Sequence, residues 1–267
     1  MRKYMRLHWQ TTEKSKRVGI LLHMTRKKIN VLGMEFDYYN AYDLMKALRG
    51  KINRGKKTFL VTANPEIVMY ARKDEEYREI LKDADYVIAD GTGVILGSKM
   101  LGTPLPERVA GYDLMCSLLE AGSREGWSAY FLGAKKEVVE KAVDTVHVKY
   151  KGLKVAGYHD GYFKNSDAIV AEIKAAKPDL IFVAVGFPRQ EKWIYEHMGE
   201  FEKGLFIGVG GSFDVLAGTV KRAPELWQRV HAEWLYRLLQ EPKRWKRMLV
   251  LPQFVVEVAK ARVLRKK

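Results

Sequence analysis

The sequence predicts an α/β protein: a doubly wound, mostly parallel sheet completed by a C-terminal helical appendage. Short uninterrupted apolar runs occur at Thr58–Val61, Tyr86–Ala89, Ala129–Leu132, Leu180–Val185 and Leu205–Val209. Runs that do not alternate indicate strands covered on both faces, as in a parallel sheet between helical layers. Each run leads into a Gly-, Asn- or Asp-bearing turn and then a segment of helical periodicity, the βαβ pattern. Glycine disappears beyond Lys221, where Arg, Trp and Leu become frequent. The chain therefore reads as a basic N-terminal extension (1–28), a Rossmann-like domain (29–220) and a basic amphipathic helical segment (221–267).

Taken in order, Asn30–Asp37 and Lys154–Tyr158 are expected to add edge strands to the sheet. After Lys221, Leu226, Val230, Trp234 and Leu238, joined by Leu235 and Leu239, recur at helical spacing until Pro242. Trp245, Met248 and Leu249 start a second helix that Pro252 interrupts, and Phe254, Val255 and Val258 start a third.

The 267 residues are 47% hydrophobic, which excludes general disorder. Formal net charge is +15, and its placement is informative. Residues 1–28 carry +8 and residues 221–267 carry +9, leaving a body of −2. The basic tail interleaves Trp227, Trp234, Tyr236 and Trp245 with its cations. That mixture suits an anionic, greasy bilayer face; a polyanion such as nucleic acid would attract the same cations. The near-neutral body and the tryptophans argue for the membrane surface and against nucleic acid. No stretch approaches the ~18–20 apolar residues that span a bilayer, and the run Gly19–Met24 is shorter than a signal-peptide core. A cytoplasmic protein that meets the membrane peripherally is expected. Cys116, the lone cysteine, forms no internal disulfide and is expected to sit as a small buried side chain on a helix.

In such a sheet, ligands collect at the carboxyl ends of the strands. Five segments carry polar residues there. In Val61-Thr62-Ala63-Asn64-Pro65-Glu66, Thr62 or Asn64 suits a helix cap with Pro65 in the first turn, and a polar pair on a strand end also suits a sugar hydroxyl. In Ile88-Ala89-Asp90-Gly91-Thr92-Gly93, an apolar run delivers Asp90 onto a glycine turn. The dipeptide is a turn former, and the carboxylate is equally what a general base requires. The loop Pro104–Gly111 presents Arg108, a planar donor fork for a diphosphate unless it pairs with Glu107 or Asp113. Val185–Trp193 packs donors, Gln190 among them, after a strand. In Ile207–Asp214, Gly210 and Gly211 allow close backbone approach to a phosphate or base, and Asp214 can accept from a uracil or ribose.

Three other signals fail. Gly91-x-Gly93-x-x-x-Gly97 and Gly208-x-Gly210 lack the third glycine of a dinucleotide fingerprint, which weakens an oxidoreductase reading. Asp83-Ala84-Asp85 precedes its strand and reads as the solvated end of a helix. His8, His23, His147, His159, His197 and His231 show no ligand spacing, so no metal site is expected.

The stretches TANPEIV, ADGTGV, PLPERVAGYDLM, YFLGA, GYHDGYF, VGFPRQEKW, GVGGSFDVLAG and VKRAP carry a resemblance to the WecG/TagA/CpsF family of bacterial glycosyltransferases, over about residues 29–252. The tail AEWLYRLLQEPKRWKRM is similar to that of the TagA branch. The resemblance implies inverting transfer of an N-acetylmannosamine-type sugar from a UDP donor to undecaprenyl-diphosphate-N-acetylglucosamine. It implies a β-1,4 product of wall teichoic acid linkage-unit or related polysaccharide synthesis, made without a cofactor or required metal. It assigns the base to Asp90, a substrate contact to Thr62, further site positions to Asn64, Arg108 and Gln190, and a uridine contact to Asp214. Tail arginines Arg237, Arg244 and Arg247 match residues that reach the donor diphosphate. It also admits a homo-oligomer formed through the body. Ala63-Asn64-Pro65 stands where relatives often have Pro-Asn-Ala.

Overall fold

A computed structural model describes residues 27–224, 226–227, 233–240, 242 and 245–264, the side chains of Arg237 and Lys246 excepted. Strands β3 (Thr58–Ala63), β4 (Tyr86–Ala89), β5 (Ser128–Gly133), β6 (Lys154–His159), β7 (Leu180–Ala184) and β8 (Leu205–Gly208) form one parallel sheet. Their order is β4-β3-β8-β7-β5-β6. All five predicted runs are strands of this sheet, and Lys154–His159 is the expected edge.

Side chains alternate between two cores, as the strand period of two requires. Phe59, Val61 and Ala63 face a layer made by α2 (Pro65–Ala71), α3 (Glu75–Lys82), α4 (Thr92–Met100), α7 (Asp167–Ala176) and α8 (Arg189–His197). Leu60 and Ile88 face the opposite layer of α1 (Ala41–Ile52), α5 (Gly111–Glu125), α6 (Lys136–Lys149) and α9 (Ser212–Leu216). Burial on both faces is why these strands are apolar without alternation.

Asn30–Asp37 differs from expectation. It is no edge of the main sheet but most of a separate antiparallel hairpin, β1 (Lys28–Val31) and β2 (Met34–Asp37). Leu32 and Gly33 take φ of 55° and 91° at its turn. The hairpin still covers the β4 edge: buried Asp37 accepts the Val87 N–H through Oδ2 at 2.9 Å.

In the tail, α10 (Glu233–Gln240), α11 (Trp245–Met248) and α12 (Val250–Leu264) are described. The third helix begins before Pro252 rather than after it. Proline falls in the first turn, where an amide N–H has no intrahelical acceptor. α12 is seated on the body: Phe254 (1% exposed) and Val258 (0%) join the core shared by α2 and α4. Cys116 lies half-buried on α5, with its thiol near Tyr112 and Tyr150. No helix among the described residues is long and apolar enough to cross a membrane. Residues 1–26, Val230 and Arg244 lie outside the description.

Candidate active site

Because every strand of the main sheet runs the same way, the ends of β3, β4, β7 and β8 open on one rim. Strand order reverses between β3, which leads outward to β4, and β8. That is the switch point where an open α/β sheet holds ligands.

Thr62 and Asp90 come from adjacent strands and converge. Asp90 follows β4, whose register pairs Thr62 with Ile88 and Ala63 with Ala89. Its Oδ2 accepts the N–H of Gly111, the first residue of α5, at 3.1 Å. A methyl group on Gly111 would lie 2.9 Å from Thr62 Oγ1 and 3.5 Å from Asp90 Oδ2. Glycine is therefore needed here for close approach, and the two oxygens share one small volume. Asp90 keeps 28% of its side chain exposed, so the carboxylate is open to a substrate.

Arg108 joins them from the loop after α4. Buried Ser98 shapes that loop, accepting the Leu105 N–H at 3.0 Å, and Val109 N–H bonds Ala89 O along the β4 edge at 2.9 Å. Arg108 does not use the partners weighed in the sequence. Its Nε lies 3.5 Å from Asp90 Oδ1 and its Nη2 lies 2.5 Å from Glu233 Oε2, at the start of α10. Glu107 instead accepts the Ala41 N–H, and Asp113 takes both terminal nitrogens of Arg222 at 2.6 and 2.8 Å. Arg222 also reaches Glu233, with Nε 3.5 Å from Oε1.

Asn64 caps α2, its Oδ1 accepting the Ile67 N–H at 3.1 Å, with Pro65 in the first turn. Next to it, Glu66 meets the tail: Arg247 on α11 places Nη2 at 2.8 Å and Nε at 3.2 Å from Glu66 Oε2. Of the three tail arginines, Arg247 alone has a described side chain.

On the other side of the switch point, Gln190 is 5% exposed on the first turn of α8. Its Oε1 accepts the Gly210 N–H at 3.1 Å, and its Nε2 donates to Glu191 Oε1 at 2.7 Å. One amide of the glycine turn is thus engaged internally. Gly211 is exposed, and its Cα carries open space towards Asp214 Oδ2, 3.7 Å from where a methyl would sit. Burial pushes the Glu191 carboxyl up to about 7, offset in part by the hydrogen bond from Gln190; its Oε2 and the nearby Tyr77 hydroxyl are buried without a hydrogen-bond partner among the described residues.

Asp83 ends α3, as expected for a solvated helix terminus, whereas Asp85 accepts the Phe59 N–H at 2.9 Å and so pins the start of β3. Among the described residues no three His, Cys, Asp or Glu side chains cluster in a metal-holding arrangement. Sequence reading missed Gly111, Glu191 and Glu233. A glycine opening a helix straight after a strand-edge loop was a usable sign for Gly111; Glu233 left none.

The family model for the glycosyl transferase WecG/TagA/CpsF family matches residues 29–267. The chain belongs to that family. It is a glycosyltransferase, and the resemblance noted in its motifs holds to the C-terminus. Two relatives from Bacillus spizizenii (strain ATCC 23059 / NRRL B-14472 / W23) and Staphylococcus aureus (strain MW2) are named N-acetylglucosaminyldiphosphoundecaprenol N-acetyl-beta-D-mannosaminyltransferase. The first is 43% identical over 78% of this chain and 81% of its own length. The second is 39% identical over 88% of this chain and 93% of its own. A similarly named protein of Bacillus subtilis (strain 168) is 41% identical over 74% and 78% respectively.

Proposed function

We propose that this glycosyltransferase moves N-acetylmannosamine from a UDP donor to undecaprenyl-diphosphate-N-acetylglucosamine at a membrane surface. The transfer inverts the anomeric carbon and gives a β-1,4 bond, in the linkage unit of wall teichoic acid or a related cell-surface polysaccharide. The convergence of Asp90 and Thr62 on Gly111, with Arg108 beside Asp90, is the observation that carries this reading. The names of the relatives supply the sugar and the acceptor lipid.

In this scheme Asp90 takes the proton of the acceptor hydroxyl as that oxygen attacks the anomeric carbon. Thr62 holds the same hydroxyl or its neighbour. The bond to the diphosphate breaks, and UDP leaves with the electron pair. Arg108, Arg247 and the side chains of Arg237 and Arg244 would meet the charge that develops there, in a route that uses no metal. Asn64 orients the sugar; Gln190, Gly210, Gly211 and Asp214 receive the nucleotide. Exposed Trp234, Trp245, Leu239 and Leu249 on the tail suit the lipid interface, with its cations facing anionic headgroups.

The test is Asp90→Asn, assayed for UDP release with a short-chain diphospholipid acceptor. A fall of about 10²–10⁴ in kcat with an unchanged melting curve is expected, the range a general base contributes. Turnover at the unsubstituted rate would remove Asp90 from the role.

A further inference from the structure

Glu191 is 1% exposed and has no cation beside it among its described contacts. A buried carboxyl is unfavourable in a protein interior unless its hydrogen bonds are arranged for it. Its surroundings come from three elements. Gln190 on its own helix donates to Oε1 at 2.7 Å. From α3, the Tyr77 hydroxyl faces it, with a pKa raised by burial and by the Glu191 charge. Beneath it the end of β8 is glycine, for a methyl on Gly208 would sit 2.5 Å from Gln190 Nε2 and 2.9 Å from Glu191 Oε1.

The Gln190 carboxamide has a donor end and an acceptor end. Turned over beside the carboxylate form of Glu191, it would set its oxygen against Oε1 and its N–H₂ against the Gly210 N–H, two repulsive contacts in place of two bonds. We propose that Glu191 is a positioning residue: it holds Gln190 in the orientation that clamps the Gly210 N–H, and so fixes the glycine turn in the shape that admits the donor nucleotide. This rests on the reading that the turn receives the nucleotide. The turn was marked in the sequence by its glycines, but the group that sets its geometry touches them only through Gln190 and was not.

The test compares Glu191→Leu, which removes the acceptor, with Glu191→Gln, which keeps an oxygen at the same place. UDP is titrated calorimetrically, donor KM and kcat are measured, and Gly210 amide exchange is followed. Glu191→Leu should raise the UDP Kd and donor KM about tenfold, the scale of one buried hydrogen bond, with a smaller change in kcat. It should also speed Gly210 exchange, and Glu191→Gln should recover most of both losses. A folded Glu191→Leu protein with unsubstituted UDP affinity and Gly210 protection overturns the proposal. So does a Gly210 amide that exchanges freely in the unsubstituted protein, a result that needs no variant to fold. If the unsubstituted protein fails to bind UDP, the nucleotide reading falls, while the exchange comparison still decides whether Glu191 sets the clamp.

Discussion

Arg108 Nη2 lies 2.5 Å from Glu233 Oε2, so a carboxylate from the tail sits on the guanidinium proposed to meet the donor diphosphate. Only 11% of the Glu233 side chain is exposed, and Arg222 shares it. In the proposed reaction, Glu233 and the donor diphosphate compete for one planar donor fork.

Glu233→Gln should therefore tighten UDP binding, by about three- to tenfold, since the displaced partner becomes neutral. Isothermal titration reads this directly. Weaker binding would mean that Glu233 orients Arg108 for the donor instead of opposing it.

Gly111→Ala places a methyl 2.9 Å from Thr62 Oγ1. The helix start tolerates alanine, so the melting temperature should hardly move while Thr62 is pushed from Asp90. A misplacement of about 1 Å at a reacting site reduces turnover by about 10²-fold, so a fall of up to that size is expected. An active Gly111→Ala enzyme would show that Thr62 has room to spare.

Phe254 fills the core between α2 and α4 at 1% exposure. Phe254→Ala should destabilise the protein by about 3–5 kcal/mol, seen as a lower denaturation midpoint. Truncation after Ala223 removes Phe254 and Val258 together, so lost activity in that truncation has to be judged alongside its melting curve. A truncated body as stable as the full chain would show that α12 contributes little.

Glu191 also predicts a pH dependence. Its folded pKa of about 7 lies above the ordinary value of 4.5. Its contribution to stability is therefore fully present below about pH 4.5 and is lost as pH rises through 7. The whole loss is about 3 kcal/mol from that shift. Glu191→Gln should flatten the decline in melting temperature between about pH 5 and 8; an equal slope in both proteins would refute this assignment.

Sheet and rim were legible in the residues because burial on both faces leaves an uninterrupted apolar run. A parallel sheet then gathers the loops at the carboxyl ends of those runs on one edge. Asp90, Thr62 and Gly210 were found that way. The hairpin at 28–37 was not, because its turn at Leu32-Gly33 carries little local signal and its apolar residues read as one strand. Arg108 was seen, but its partner Glu233 comes from a distant segment, and local patterns carry no information about such pairings. Glu191 resembles a solvated charge in Arg189-Gln190-Glu191-Lys192. Its place three residues before buried Ile194 was the available sign that it turns inward.

Phe254 and Val258 key the last helix into the same core layer as α2, the helix that begins at the rim. Arg247 on Glu66 adds a second tie close to the cap of α2. A surface that gripped α12 would thus be coupled to the candidate active-site edge through this core. In the proposed reaction, a membrane surface that held α12 would therefore also hold the rim to which the lipid-borne sugar must come.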